Sequence, residues 1–417
     1  GGSVIAHGLD NGDGGGTAAN GQLEPGEVDY STTFCTKSIL LSIDIYPGSL
    51  SSFPGYLTVF NNELYFNAED VTKGYELWKY DGVNAPSMVA DINPGGNGYP
   101  IDFFVFNNEL YFEATDGTNG DELWKYDGVN APSMVADINS GSSNSNPGGL
   151  TVFNNELYFQ ADDVTNGYEL WKYDGVNAPS MVADINSGSS SSYPGYLTVF
   201  NNELYFKATD GINGGELWKY DGVNAPSMVA DIVSGVLGSN PDDLFVFNNE
   251  LYFEADDRTN GDELWKYDGV NAPSMVADIN SGSSNSNPGG LTVFNNELYF
   301  SADDGINGVE LWKYDGVNAP SMVADINSGS SNSNPGGLTV FNNELYFQAD
   351  DVTNGYELWK YDGVNAPSMV ADIYSGSTNS YPSYLTVFNN ELYFSATDST
   401  YGNELWKYTQ QTTITYA

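Results

Sequence analysis

Eight Trp residues recur at Trp78, Trp124, Trp171, Trp218, Trp265, Trp312, Trp359 and Trp406, at spacings of 46 and then 47 six times over. A Pro opens each unit, from Pro54 to Pro382, and units 147–193 and 335–381 differ at three positions. A fixed period of this length constrains the fold more than any local propensity, because each repeat must form one supersecondary unit that leans on its neighbours. Near-identity between units points to recent duplication or continuing homogenisation.

Each unit contains four strand-like runs. In the first they are "YLTVF" (Tyr56–Phe60), "ELYFNA" (Glu63–Ala68), "YELWKY" (Tyr75–Tyr80) and "SMVADI" (Ser87–Ile92). Between them lie "NN", a pair that tolerates positive φ, the loop "EDVTKG", and "DGVNAP" with its Asp-Gly and Pro turn signals. β-branched and aromatic residues alternate with polar ones, and no helical period is present. Four short strands per ~47 residues, eight times over, predict an all-β chain: an eight-bladed β-propeller of four-stranded blades after a short irregular N-terminal segment. A β-solenoid is the competing architecture, but the repeat is long for one coil.

The chain ends fit a closed ring. "LLSIDI" (Leu40–Ile45) matches "SMVADI" in position, and the last unit stops after "ELWKY" (Glu404–Tyr408). The expected division is 1–37 as a Gly/Asp-rich segment and 38–417 as the propeller, with strand 40–45 completing blade eight and removing exposed edges. "TTITYA" (Thr412–Ala417) is also strand-like and competes for that slot.

Fifty-six acidic residues against 12 basic leave a net charge of −44. Such a field repels nucleic acid and anionic membranes, and no apolar run reaches the ~20 residues of a membrane helix. One Cys and one His exclude an internal disulfide, a Cys/His zinc site and a His-based nucleophilic triad. Carboxylates are plentiful, but eight equal copies do not form a differentiated acid/base pair. The expectation is a protein that is not an enzyme. A chain opening at Gly1 without Met reads as a processed product.

"ELWKYDG" and "LYFNAED" resemble the ELWxxDGT-type repeats of secreted bacterial proteins, and the blade pattern is similar to kelch-type propellers. The resemblance covers residues 40–408, departs from the family in "DGVNAPS", and implies the fold and an extracellular or cell-surface location, but no shared reaction. Ahead of it, "GLDNGDGGGTAANGQLEPGEVDYSTTFC" resembles a small calcium-loop module of secreted bacterial proteins. That resemblance implies a calcium site at Asp10, Asp13, Asn20, Glu24 and Glu27, the last three fitting the second half of an EF-hand loop. "GGGTAA" lengthens the loop, and a flexible leader that binds nothing is the other reading. The module's earlier Cys is not seen, so Cys35 either lost its partner to trimming or pairs between molecules, as an assembly contact.

Asp70, Asp116, Asp163, Asp210, Asp257, Asp304, Asp351 and Asp398 each precede a Gly by four residues and a Glu by six (Glu76 in the first unit). They read either as a repeated cation site or as turn aspartates bonded to backbone. Asp81 and its copies read as turn chemistry, and Asp91 and its copies as charge on the outer strand. The repeat Trp reads as core between blades or as a sugar platform. The Ser/Asn loops, such as Asn139–Gly149, would crown one face of the ring; lacking Asn-x-Ser/Thr sequons, they would carry only O-linked glycans. Two functions follow as expectations: a structural protein that self-assembles through its terminal segments into a filament or surface layer, or a multivalent glycan-binding (lectin or adhesin) propeller, with exposed aromatic and Asp/Asn clusters at one blade position.

Overall fold

The computed structural model describes residues 3–8 and 28–416, with side chains described for 40–410. The strands form eight antiparallel sheets, seven of four strands and one of five, with no helix among the described residues. In blade one the strands run, from the axis outward, Gly55–Phe60, Glu63–Asp70, Gly74–Tyr80 and Ser87–Ala90. The Asn61–Asn62 turn has φ of 48° and 58°, the left-handed pair that a two-residue hairpin needs and that Asn tolerates.

Period-two alternation builds the interior. Leu64, Phe66, Ala68, Trp78 and Tyr80 face back to Phe388, Tyr393 and Leu405 of blade eight. Tyr65 and Leu77 face forward to Leu110, Phe112 and Trp124 of blade two. Leu64, Tyr65 and Phe66 are all fully buried, because a blade has neighbours on both sides. Eight such clusters occupy the eight junctions. The ring is closed: Thr386 Oγ1 donates to Leu57 O at 3.1 Å, as Thr151 Oγ1 does to Leu197 O at 2.9 Å between blades three and four.

The closing strand is Val28–Ile43, longer than the expected 40–45 and beginning well upstream of it. It pairs with the third strand of blade eight, Gly402–Tyr416, from Ile43↔Leu405 to Thr32↔Tyr416. The expected competition for the outer slot therefore does not occur. Residues 412–416 continue the third strand beyond the ring, and the closing strand continues alongside them. Ser3–Gly8 pairs outside it as a fifth strand.

Antiparallel alternation puts the Asn-Asn turns of every blade, and the 81–86 loops of the first seven, at one end. The 70–74 loops and the 91–99 linkers lie at the other, here called the linker face. A buried glutamate latches each linker. Glu76, Glu122, Glu169, Glu216, Glu263, Glu310, Glu357 and Glu404 have no exposed surface. Glu169 accepts from Ser192 Oγ at 2.6 Å, Ser192 N at 3.0 Å and Ile185 N at 2.9 Å. The first linker is one residue shorter, which accounts for the single 46-residue spacing; there Gly98 N, at 2.9 Å, replaces the serine. Glu404 makes the same latch across the seam, accepting from Ser52 Oγ at 2.7 Å and Ile45 N at 2.9 Å.

Candidate binding face

The eight units are not equally alike at their two ends. Positions 59–66, 68, 70, 74 and 76–80 of unit one are identical in all eight units, and 81–92 in all seven complete ones. Variation falls at 55–58, 67, 69, 71–73, 75, 93, 94 and 96–99, which the topology gathers on the linker face. Burial does not explain the division. Val83 is 85% exposed and identical in seven loops, whereas Asn67, 7% exposed, is replaced by Glu, Gln, Lys or Ser elsewhere.

Around the axis the second residue of each innermost strand forms a collar. Its members are Tyr56, Asp102, Gly149, Tyr196, Asp243, Gly290, Gly337 and Tyr384, all with φ between 52° and 67°. A bulge imposes this conformation: register slips between Gly55↔Asn67 and Thr58↔Tyr65, and likewise in the other blades. Gly adopts it freely, yet five blades place Tyr or Asp there at a cost of roughly 1–2 kcal/mol each. Tyr196, Asp243 and Tyr384 line the mouth of a central cavity of about 690 Å³.

A second ring lies on the linkers: Phe53, Tyr99, Asn146, Tyr193, Asn240, Asn287, Asn334 and Tyr381, again all left-handed. Where the latch glutamate of the third strand follows a Tyr, the next linker ends in Tyr and the rings stack. Tyr75–Tyr99, Tyr168–Tyr193 and Tyr356–Tyr381 lie 5.5, 5.6 and 5.3 Å apart with planes 22–24° from parallel. Where it follows an Asp, an amide answers, as Asn144 Nδ2 donating to Asp121 Oδ2 at 2.6 Å.

Two blades add carboxylates. Burial, reinforced by Asp121 and Asp102, pushes Glu113 up to about 8. Burial, reinforced by Asp262, Asp242 and Asp243, pushes Glu254 to about 8, with Lys207 pulling the other way from its 2.9 Å ion pair with Asp242. The face thus presents half-exposed aromatics, amides and carboxyls at repeated blade positions.

The repeated aspartates are turn residues in geometry. Asp116 Oδ1 accepts from Thr118 N and Asn119 N at 2.8 and 2.9 Å, and Oδ2 from Asn119 Nδ2 at 2.8 Å. Asp163, Asp210, Asp257, Asp304 and Asp351 repeat it, while Asp70 and Asp398 hold shorter versions. The glutamate six residues on is not brought to the same site, being buried under the linker. Asp91 lies just past the outer strand rather than on it, and accepts from Lys73 Nζ at 2.8 Å. Trp78 and its copies pack between blades, mostly below a tenth exposed. Asp10, Asp13, Asn20, Glu24 and Glu27 lie outside the described residues, as does the side chain of Cys35, whose backbone belongs to the closing strand. Among the described residues no cluster of three or more His, Cys, Asp or Glu is placed to hold a metal ion.

No family model and no curated protein matches the sequence. Solved structures do. The computationally designed Ika8 protein superposes with a TM-score of 0.52 at 18% identity, over 88% of this chain and 99% of that one. A puromycin-hydrolyzing peptidase of Mycobacterium tuberculosis gives 0.50 at 9%, over 85% of this chain and 61% of that one. A prolyl endopeptidase gives 0.51 at 9%, over 85% and 55%. The chain thus spans less than two thirds of these peptidases. At such identities the likeness is of fold: the chain is an eight-bladed β-propeller, and some proteins that contain a similar fold are peptidases.

Proposed function

We propose that this propeller is a non-enzymatic binding module whose linker face engages glycan chains. The confinement of repeat-to-repeat variation to that face carries the reading. Identical units fold equally well around the whole ring, so diversity kept at one end, even at a buried position, reflects use rather than folding. Half-exposed tyrosines offer flat apolar rings to the C–H faces of sugars, and neighbouring amides and carboxyls offer hydrogen bonds to hydroxyls. A net charge of −44 disfavours anionic ligands and selects neutral or cationic glycans. An extracellular setting, ELWxxDGT-type kinship and a calcium-binding leader belong to the same reading. A glycan array tests it with two proteins: the chain itself, and a homogenised ring whose variable positions in every blade are those of unit 288–334. Binding by the chain and none by the homogenised ring is expected. Equal binding by both refutes the reading.

A second reading, assembly into a filament or surface layer through the terminal segments, is favoured by one observation. The terminal strands of blade eight run on beyond the ring, with Ser3–Gly8 as the outer edge of the described sheet. A fibre grows from such an edge when a neighbour's strand adds to it. Sedimentation of the chain with and without 1–27 separates monomer from polymer.

A further inference from the structure

The seam between blades eight and one holds a cavity of about 290 Å³ that opens on the linker face. Tyr56 and Tyr384 stand 5.1 Å apart at one side, their planes 35° from parallel, and Phe53 and Tyr75 complete an aromatic wall. Its polar lining differs from every other junction. Asn67 and Asn403 are the only Asn at their respective blade positions, and Ser383 the only Ser at its own. Asn403 is already engaged: Oδ1 accepts from Ser395 Oγ at 2.8 Å, and Nδ2 donates to Thr397 Oγ1 at 3.0 Å. Asn67 is not engaged. It is 7% exposed, lines the cavity, and its carboxamide forms no hydrogen bond among the described residues. Gly55 opposite leaves it uncovered, since a Cβ there would lie 2.9 Å from Asn67 Oδ1. Its carboxamide, without a protein partner, meets the cavity and offers both a donor and an acceptor to whatever occupies it.

We infer that this seam cavity is a subsite for one neutral sugar ring, whose adjacent hydroxyls pair with the Asn67 carboxamide while its apolar face lies against Tyr56 or Tyr384. The inference rests on the glycan reading and narrows it, from a face with repeated weak contacts to one unequal position per ring. A carboxylated sugar is disfavoured because Asp102 stands beside Tyr56 in the adjoining cavity.

The test uses the full chain, ¹⁵N-labelled and titrated with the methyl glycosides of glucose, galactose, mannose and N-acetylglucosamine. Two variants borrow residues from blade six, where Ser301 and Gly290 hold the corresponding positions in a folded unit: Asn67→Ser and Tyr56→Gly. The Asn67 side-chain amide signals are identified by their loss in the first. At least one glycoside is expected to shift those signals saturably, and each variant to weaken it roughly tenfold or more with little change in Tm. Saturable binding that both variants leave intact overturns the subsite while sparing the face. Failure of all four glycosides to bind overturns it as well, and the array result for intact glycans then stands or falls on its own.

Discussion

The buried latch glutamates set how the fold responds to acid. Burial pushes Glu76, Glu357 and Glu404 up to about 7 from an ordinary 4.5, and raises the other five, against the pull of their backbone and serine donors. The folded chain therefore holds these protons more tightly than the unfolded one. Their contribution is full below about 4.5 and is lost as pH rises through the folded value, about 7 for Glu76, Glu357 and Glu404. Asp81 and its copies run the other way. Hydrogen bonds, led by the Asn84 side chain, hold them below 3.8, so their contribution is present above that value and lost as pH falls below it. Calorimetry at constant ionic strength should find Tm highest near pH 4–5 and falling toward pH 8; a Tm that climbs from pH 5 to 8 contradicts this. Ser192→Ala removes the 2.6 Å bond to Glu169 and leaves a buried carboxyl short of a donor. It should cost about 1–3 kcal/mol in denaturant unfolding. The sequence showed the glutamate but coupled it with the aspartate six residues earlier. Spacing alone could not tell that the aspartate caps the turn while the glutamate turns inward under the linker.

At the scale of strands, the repeat made nearly every element legible. Alternation marked the four runs, and the missing last "MVADI" pointed to an N-terminal strand closing blade eight. What spacing could not show was the length of that strand. "TTITYA" looked like a rival because its composition suits any strand; register, a long-range property, made it an extension of the third strand instead. A chain lacking residues 1–45 loses the Ile43↔Leu405 ladder and the Ile45 donor to Glu404, and exposes an unpaired edge. Thermal unfolding should begin at a lower temperature, and sedimentation should reveal concentration-dependent association. An unchanged Tm would mean that the strand adds nothing to closure.

For the whole ring, the repeats disclosed the architecture and their differences disclosed the face. The candidate site was not legible from any single motif, because its parts come from the first three strands of each blade and from the linkers between blades. The sign that could have found it is the list of positions where near-identical units disagree, laid over the blade. The homogenised ring proposed above also bears on stability. It trades Tyr or Asp for Gly at the five strained collar positions, so relief of strain is set against the lost Tyr56–Tyr384 contact and the looser unfolded chain. Its Tm should stay within a few degrees of the parent, showing that the diversity is not there for folding.

The closing ladder also settles how the ring would answer to force. Thr32 and Tyr416 face each other at the outer end of two antiparallel strands. Tension applied across that pair peels the ladder open one hydrogen-bonded pair at a time, like a zip, instead of shearing all rungs together. Blade eight would yield first and gently, and each further blade, deprived of its neighbour, would follow. Pulling a single molecule from these two positions should give a sawtooth whose teeth are spaced by one unit's contour length, roughly 160 Å for ~47 residues.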